Sequence, residues 1–244
     1  MVADNPPPGR IEYVYTFQFP TGVEKQFAVR LNAATLDLLP ATPVPRPDWT
    51  KLAYHQCEDC PLADSVTHCP VAVNLSSLVE SFKDSLSFEG TTVTVQTQER
   101  TYTKETTLQQ GLSSIIGIYM VTSGCPVMDR LRPNVRFHLP FATGEETIYR
   151  AVSMYLMAQY FRMRRGEAPD WTLDHLAKVY KGVWLVNKGI TQRLAHASSK
   201  DANVNAVIVL SMFGSHLDEF LEHSLKEIEP LFRDHTKPGS HDLF

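Results

Sequence analysis

The stretch RIEYVYTFQFPTGVEKQFAVRL, residues 10–31, decides the fold class. Its odd positions Ile11, Tyr13, Tyr15, Phe17 and Phe19 are all large and apolar, a period of two that turns one face of a strand into a core. Pro20-Thr21-Gly22 supplies turn chemistry, and Phe27, Val29 and Leu31 resume the alternation. Residues 10–32 therefore read as a hairpin with one apolar face, which other elements must cover.

Downstream, the pattern alternates between helix and strand. A proline-rich connector carries Pro40, Pro43, Pro45 and Pro47. Behind Pro70, the residues Val71, Leu75, Leu78, Val79, Phe82 and Leu86 recur at helical spacing and predict an amphipathic helix over 70–86. Thr91 to Thr106, rich in threonine and valine, predicts a second and more exposed hairpin that extends the first sheet. A helix over about 107–122 buries Leu108, Leu112, Ile115, Ile116 and Tyr119, with Gly124 placed as its stop. Thr143-x-x-Glu146 is a capping box. It opens a helix whose Ile148, Val152, Tyr155, Leu156 and Tyr160 predict extensive burial. Helices over about Thr172–His196 and Asp201–Pro230 complete the chain, the last with Phe213, Leu217 and Leu221 in its apolar stripe.

The expected class is α+β: a small antiparallel sheet of two hairpins with a cysteine-ligated helix and loop cluster, followed by a C-terminal three-helix segment packed on it. Residues 10–140 are expected to form the cysteine-cluster region and 143–232 the helical region, together one compact unit. Residues 1–9 and 233–244 read as disordered tails.

Composition removes several function classes. A net charge of −4 argues against nucleic acid as a partner. The cluster Arg162-Met163-Arg164-Arg165 falls where a helix should end and complements its dipole. The N-terminus lacks the basic start and apolar stretch of a signal peptide. The longest purely apolar run, Ala206 to Leu210, is far too short to span a membrane. Hydrolase, NTPase and dinucleotide motifs are missing, with no G-x-S-x-G, P-loop or G-x-G-x-x-G. The chain reads as cytoplasmic, in a reducing compartment where clustered cysteines more often signal metal than disulfides.

Cysteine chemistry gives the sharpest functional signal. Cys57, Cys60, Cys69 and Cys125 follow C-x2-C-x8-C-x55-C, and three of them are followed directly by Pro61, Pro70 and Pro126. Proline suits the first helical position, so each Cys-Pro pair reads as a cysteine at an N-cap with a short helix behind it. Free N–H groups at such a terminus favour thiolate. The helix behind Cys125 must end near Leu131, because Pro133 forbids continuation.

Two ligand chemistries remain open, a [4Fe-4S] cluster and a structural Zn²⁺. Zinc sites usually pair two C-x2-C knuckles, and only one is present here. Proline directly after a ligand cysteine occurs in bacterial ferredoxin-type runs. Cys57-Glu58-Asp59-Cys60-Pro61-Leu62 also resembles the first cysteine pair of iron–sulfur uracil-DNA glycosylases. That resemblance covers six residues and implies cluster ligation by Cys57 and Cys60; no glycosylase motif accompanies it. His55 and His68 flank ligand positions, as a second shell or as substitutes for a thiolate. Arg130, Arg132, Arg136 and His138 follow Cys125 and would offset the charge of a four-thiolate centre or bind an anionic ligand at its mouth.

Elsewhere, His216, Glu219 and His223 share one helix face but lack the partner pair of a di-iron bundle. Asn187 lies in an apolar run and reads as a buried contact between helices. Three functions follow. The first is a metal- or cluster-binding module, redox-responsive or structural. The second is an enzyme using a [4Fe-4S] cluster with one open iron. The third is a zinc-stabilised helical scaffold that forms a homodimer through its C-terminal helices.

Overall fold

The computed structural model describes residues 9–39, 45–62, 65–211, 223 and 225–237. Strands β1 (Arg10–Gln18) and β2 (Glu24–Asn32) form the expected hairpin, with Tyr13 opposite Val29 and Tyr15 opposite Phe27. Strands β3 (Gly90–Gln96) and β4 (Thr101–Thr107) form the second. β3 pairs antiparallel with β1, so the order is β2-β1-β3-β4 and the second hairpin extends the first sheet. Because side chains alternate across a strand, Tyr13, Tyr15, Phe17, Val29, Leu31, Val93 and Val95 share one face, and all are buried.

Two helices cover that face. α1 (Pro70–Phe82) sets Phe82 edge-on to Phe17, with ring centroids 5.3 Å apart. It ends four residues before the expected Leu86, since the Lys83 carbonyl accepts the N–H groups of Ser199 and Lys200. α2 (Leu108–Val121) lies so close to the sheet that a Cβ on Gly111 would sit 2.7 Å from Val93 Cγ2 and 3.0 Å from Phe17 Cε1. Gly124 takes φ +83° just beyond the α2 cap at Thr122, the expected stop.

The chain then builds α3 (Pro133–Arg136), α4 (Gly144–Arg164), α5 (Asp174–Ala197) and α6 (Ala202–Ser211). It divides into two compact units, one of residues 1–141 with 182–212, the other of residues 142–181 with 213–244. The first unit is therefore discontinuous. It takes back the second half of α5 and all of α6, which packs against α2.

In the second unit α4 begins at the capping box. Glu146 N–H donates to Thr143 Oγ1 at 3.2 Å, and Thr143 N–H to Glu146 Oε2 at 2.7 Å. The expected extensive burial of α4 is corrected. Ile148, Ala151, Val152, Tyr155 and Gln159 form a buried stripe, while Tyr149, Met157, Tyr160, Phe161 and Met163 are exposed. A helix apolar on all sides leaves the covered side unspecified, and one stripe is what this unit covers. Its basic cluster does close the helix, with Arg162 and Arg164 in the last turn and Arg165 at the cap.

The expected helix over 201–230 appears as α6 and as helical residues 225–228; Phe213, Leu217 and Leu221 lie outside the described residues. Pro230 falls inside a 3-10 turn, Glu229–Phe232, and Arg233–Thr236 forms one helical turn where the sequence suggested a loose tail. Among the described residues, no helix is long and apolar enough to cross a membrane.

Candidate metal centre

The site is assembled from three stretches of chain and one face of α5. The first stretch starts at a 3-10 turn, Asp48–Thr50. Its backbone pairs with the segment before α1: Leu52 N–H donates to Thr67 O at 2.9 Å, and Cys69 N–H to Thr50 O at 2.8 Å. This extended pairing fixes residues 67–69 and corrects one expectation. Among the described residues no helix follows Cys60-Pro61 directly, and residues 67–69 pair with the 50–52 stretch instead. Cys60 instead closes a turn, its N–H donating to Cys57 O at 3.2 Å. Asp59 takes φ +57° there, a left-handed position that aspartate tolerates better than most residues. His55, just before the turn, also has positive φ, +47°.

Cys69 is the N-cap of α1 with Pro70 at N1, as the Cys-Pro spacing predicts. Its side chain makes no capping hydrogen bond. Cys125 precedes a turn into the 3-10 helix Met128–Leu131, whose N-cap is Val127, and α3 follows at Pro133. The N–H groups of Met128 and Val127 point at its sulfur and favour thiolate. Of the three Cys-Pro pairs, only Cys69-Pro70 places its cysteine at a helix N-cap among the described residues.

α5 closes the arrangement. A Cβ on Gly189 would sit 2.9 Å from Cys57 Sγ and 3.4 Å from His55 O, and one on Gly182 would sit 3.1 Å from Val127 Cγ1. Glycines seven residues apart share a helix face, and here that face meets both cysteine loops. Arg193, one turn beyond Gly189, is fully buried. Its Nη1 donates to Trp49 O and Lys51 O, each at 2.7 Å, and its Nη2 to Leu52 O at 2.8 Å. The guanidinium thereby clamps the strand-like segment that leads to Cys57.

All four thiols are free. Cys69 and Cys125 belong to the main apolar cluster, and Cys57 and Cys60 pack against it. Burial pushes the Cys57 thiol up to about 12; Cys69 and Cys60 add to the rise, Arg193 opposes it, and Cys125 adds a smaller amount. Burial also pushes Cys125 up, and Cys69 and Cys60 add to that. The four thiols therefore share one electrostatic neighbourhood. As the side chains stand, no group of three or more His, Cys, Asp or Glu among the described residues is disposed to hold a metal ion.

The flanking groups singled out by sequence have defined places. His68 Nδ1 lies 2.9 Å from Thr50 Oγ1, which itself donates to Pro47 O, so the imidazole gives its Nδ1 proton to Thr50 and presents Nε2. The exposed His55 ring stacks on His196 at 4.8 Å. Arg132 commits its guanidinium to Asp37 and Asp129. His138 Nε2 lies 2.6 Å from Tyr15 Oη and 3.4 Å from Ser114 Oγ, against the sheet. Arg130 and Arg136 are exposed. His216 and Glu219 lie outside the described residues, and His223 is exposed and pairs with Glu227 at 3.3 Å. Asn187 is buried as expected, but its Oδ1 has no hydrogen-bond partner among the described residues. An open cleft of about 350 Å³, lined in part by Arg46, His68, Pro70, Asn74 and Ser123, lies beside the Cys69 and Cys125 stretches.

Sequence reasoning missed Gly189 and Arg193. A glycine inside a long helix is unfavourable by about 1 kcal/mol relative to alanine, and that was the available signal for a close approach. An arginine beside Ile190 and Leu194 was the signal for a buried cation.

Residues 13–233 match the family described as Domain of unknown function (DUF6901), and the chain belongs to that family. No curated protein and no solved structure matches it.

Proposed function

We propose that this member of the DUF6901 family binds a metal ion or iron–sulfur cluster through Cys57, Cys60, Cys69 and Cys125. The centre acts in the cytoplasm as a redox-responsive or structural module. One observation carries the reading: four free thiols from three stretches of chain, two buried and two half-buried, gather on one apolar cluster. Burial holds the protons on Cys57 and Cys125, and such thiols become ligands when a cation displaces those protons, which is how metal binding couples to folded structure. Each cysteine has one side-chain torsion, so a change of staggered well re-aims its sulfur while the backbone stays in place. The reading requires that rotation on binding. The N–H groups at Cys125 and the helix start at Cys69 supply the donors that thiolate sulfur prefers. Four thiolates suit both Zn²⁺ and [4Fe-4S]. The single C-x2-C knuckle and the prolines after three ligands favour the cluster.

An enzyme with an open iron is the second reading, and the cleft beside His68 favours it by bringing solvent and small ligands to the edge of the set. Ligand count separates the two. Anaerobic purification with an absorption spectrum and metal analysis tests the main reading. Broad visible absorption with iron matching [4Fe-4S], or a colourless protein with stoichiometric zinc, is expected. Anaerobic protein without iron or zinc, its four thiols freely reactive, would overturn it. In Cys125→Ala, loss of the metal marks a closed four-thiolate site, and unchanged cluster content marks the open one.

A further inference from the structure

α4 buries one stripe and leaves a second one open. Its covered side is pinned: Tyr155 Oη donates to Asp170 Oδ2 at 2.6 Å, and Asp170 N–H donates to Gln159 Oε1 at 2.9 Å. Turning the helix to hide its other apolar side would break both bonds. Along that other side Tyr149, Ser153, Leu156, Tyr160 and Met163 are spaced by four, three, four and three residues. A mean period of 3.5 is the seam of a coiled coil. Met157 and Phe161 flank the seam, and with Tyr149, Tyr160 and Met163 they are each 44–59 % exposed. An aromatic side chain spans roughly 150–250 Å², so these five leave on the order of 500 Å² of apolar surface on one face. A patch of that size marks an interaction site. The charges at its two ends are ordered. Glu145 lies one turn before Tyr149, and Arg164 one turn after Tyr160. Both are exposed, and among the described residues neither forms an ion pair, whereas Arg162 is paired with Glu167.

We propose that this face of α4 binds the same face of α4 in a second copy of the chain, antiparallel and related by a two-fold axis. The face is complementary to itself. With the axis crossing between Met154 and Tyr155, Tyr149 meets Tyr160, Ser153 meets Leu156 and Glu145 meets Arg164. A two-fold interface repeats every contact, so each of these pairs occurs twice. The small Ser153 opposite Leu156 lets the helices approach closely at the centre. A parallel pairing would set Glu145 against Glu145 and Arg164 against Arg164, which like charges oppose. The antiparallel pair buries about 1,000 Å² in total, the lower limit of a specific interface, so the association is reversible and micromolar. It uses none of the four cysteines and does not depend on the metal-binding reading.

The test is sedimentation equilibrium of the full chain from low to high micromolar concentration. The wild type is expected to pass from monomer to dimer and no further, since a two-fold interface closes. A chain that stays monomeric throughout overturns the pairing. Tyr160→Ala removes a seam contact twice and is expected to weaken the dimer at least tenfold. Phe88→Ala, at an exposed aromatic outside α4, is expected to leave it unchanged. A dimer that Tyr160→Ala does not weaken, or that Phe88→Ala weakens as much, overturns the proposal. Glu145→Arg and Arg164→Glu each turn two attractive pairs repulsive, and each is expected to weaken the dimer about fivefold or more at low salt. The double variant restores opposite charges at both ends and is expected to return within about twofold of wild type. Each charge change alone opposes the dipole of α4, so an effect through helix stability would leave the double variant the weakest of the three. That result overturns the antiparallel register. All the substituted residues are exposed, and far-UV circular dichroism of each variant is expected to match wild type.

Discussion

Two helices of this protein begin in opposite ways. α4 starts at Thr143, where the side chains of Thr143 and Glu146 each satisfy the other residue's N–H. α1 starts at Cys69, a buried residue whose side chain caps nothing, with Val71 and Ala72 fully buried just behind it. Buried backbone donors need partners. The first helix terminus is complete within its own four residues. The second has no such partner within its first turn, since the Cys69 side chain makes no capping hydrogen bond. A helix start without side-chain capping leaves its first N–H groups to other partners, a role the proposed centre would fill at Cys69.

Removing the metal is the strongest way to break that comparison. A ligand present at a thousandfold its Kd stabilises by about 4 kcal/mol, which for a unit of this size corresponds to roughly 10 °C in Tm. Stripping the centre is expected to lower Tm by that order and to open protease sites between Tyr54 and Val71, leaving α4 protected. Calorimetry and limited proteolysis of loaded and stripped protein would show it. Identical Tm and cleavage maps would return the cysteines to simple packing residues.

Thr143→Ala comes next in size. Loss of an N-cap costs about 1 kcal/mol, so denaturant unfolding of this variant should show that loss with or without metal. A cost that depends on metal loading would mean that α4 and the cysteine site are coupled, contrary to the contrast drawn here.

Cys69→Ser is the smallest effect and the most diagnostic. Serine is a strong N-cap former, so the stripped variant should gain a few tenths of a kcal/mol, while the loaded variant should lose a ligand and melt below wild type. Melting curves in both states should cross in sign. If serine destabilises the stripped protein as well, the thiol at Cys69 already satisfies the helix start unaided.

Most of the fold was legible because its signals are local. The period of two at Ile11 to Phe19 fixed β1 and its buried face, and the stripes behind Pro70 and Thr107 fixed α1 and α2. What escaped depended on partners far along the chain. The end of α1 is set by Ser199 and Lys200, and no pattern near Leu86 records them. Residues 67–69 are held extended because they pair with Thr50, Lys51 and Leu52. The exposed side of α4 was illegible because Tyr160 and Phe161 are as apolar as the residues it buries.

The candidate site divides in the same way. Spacing alone nominated the four cysteines, since thiol chemistry resides in the residue type. Arg193 and Gly189 matter through position: the one is buried among carbonyls drawn from Trp49 to Leu52, and the other lies against Cys57. Their residue types carry no such information. The arginines after Cys125 were attractive for their charge, but Arg132 is committed to Asp37 and Asp129.

The return of α5 and α6 to the first unit has a consequence in time. A ribosome delivers the chain from its N-terminus at roughly 5–20 residues per second. Cys125 therefore emerges several seconds before Gly189 and Arg193, and during that interval Cys57 lacks the helix face that meets its sulfur and the carbonyls of Trp49, Lys51 and Leu52 lack the guanidinium that clamps them. Under the proposed metal-binding reading, a cofactor that binds before α5 is made meets the Cys57 loop without that face. The order of synthesis thus makes α5 a late-arriving wall of the Cys57 loop.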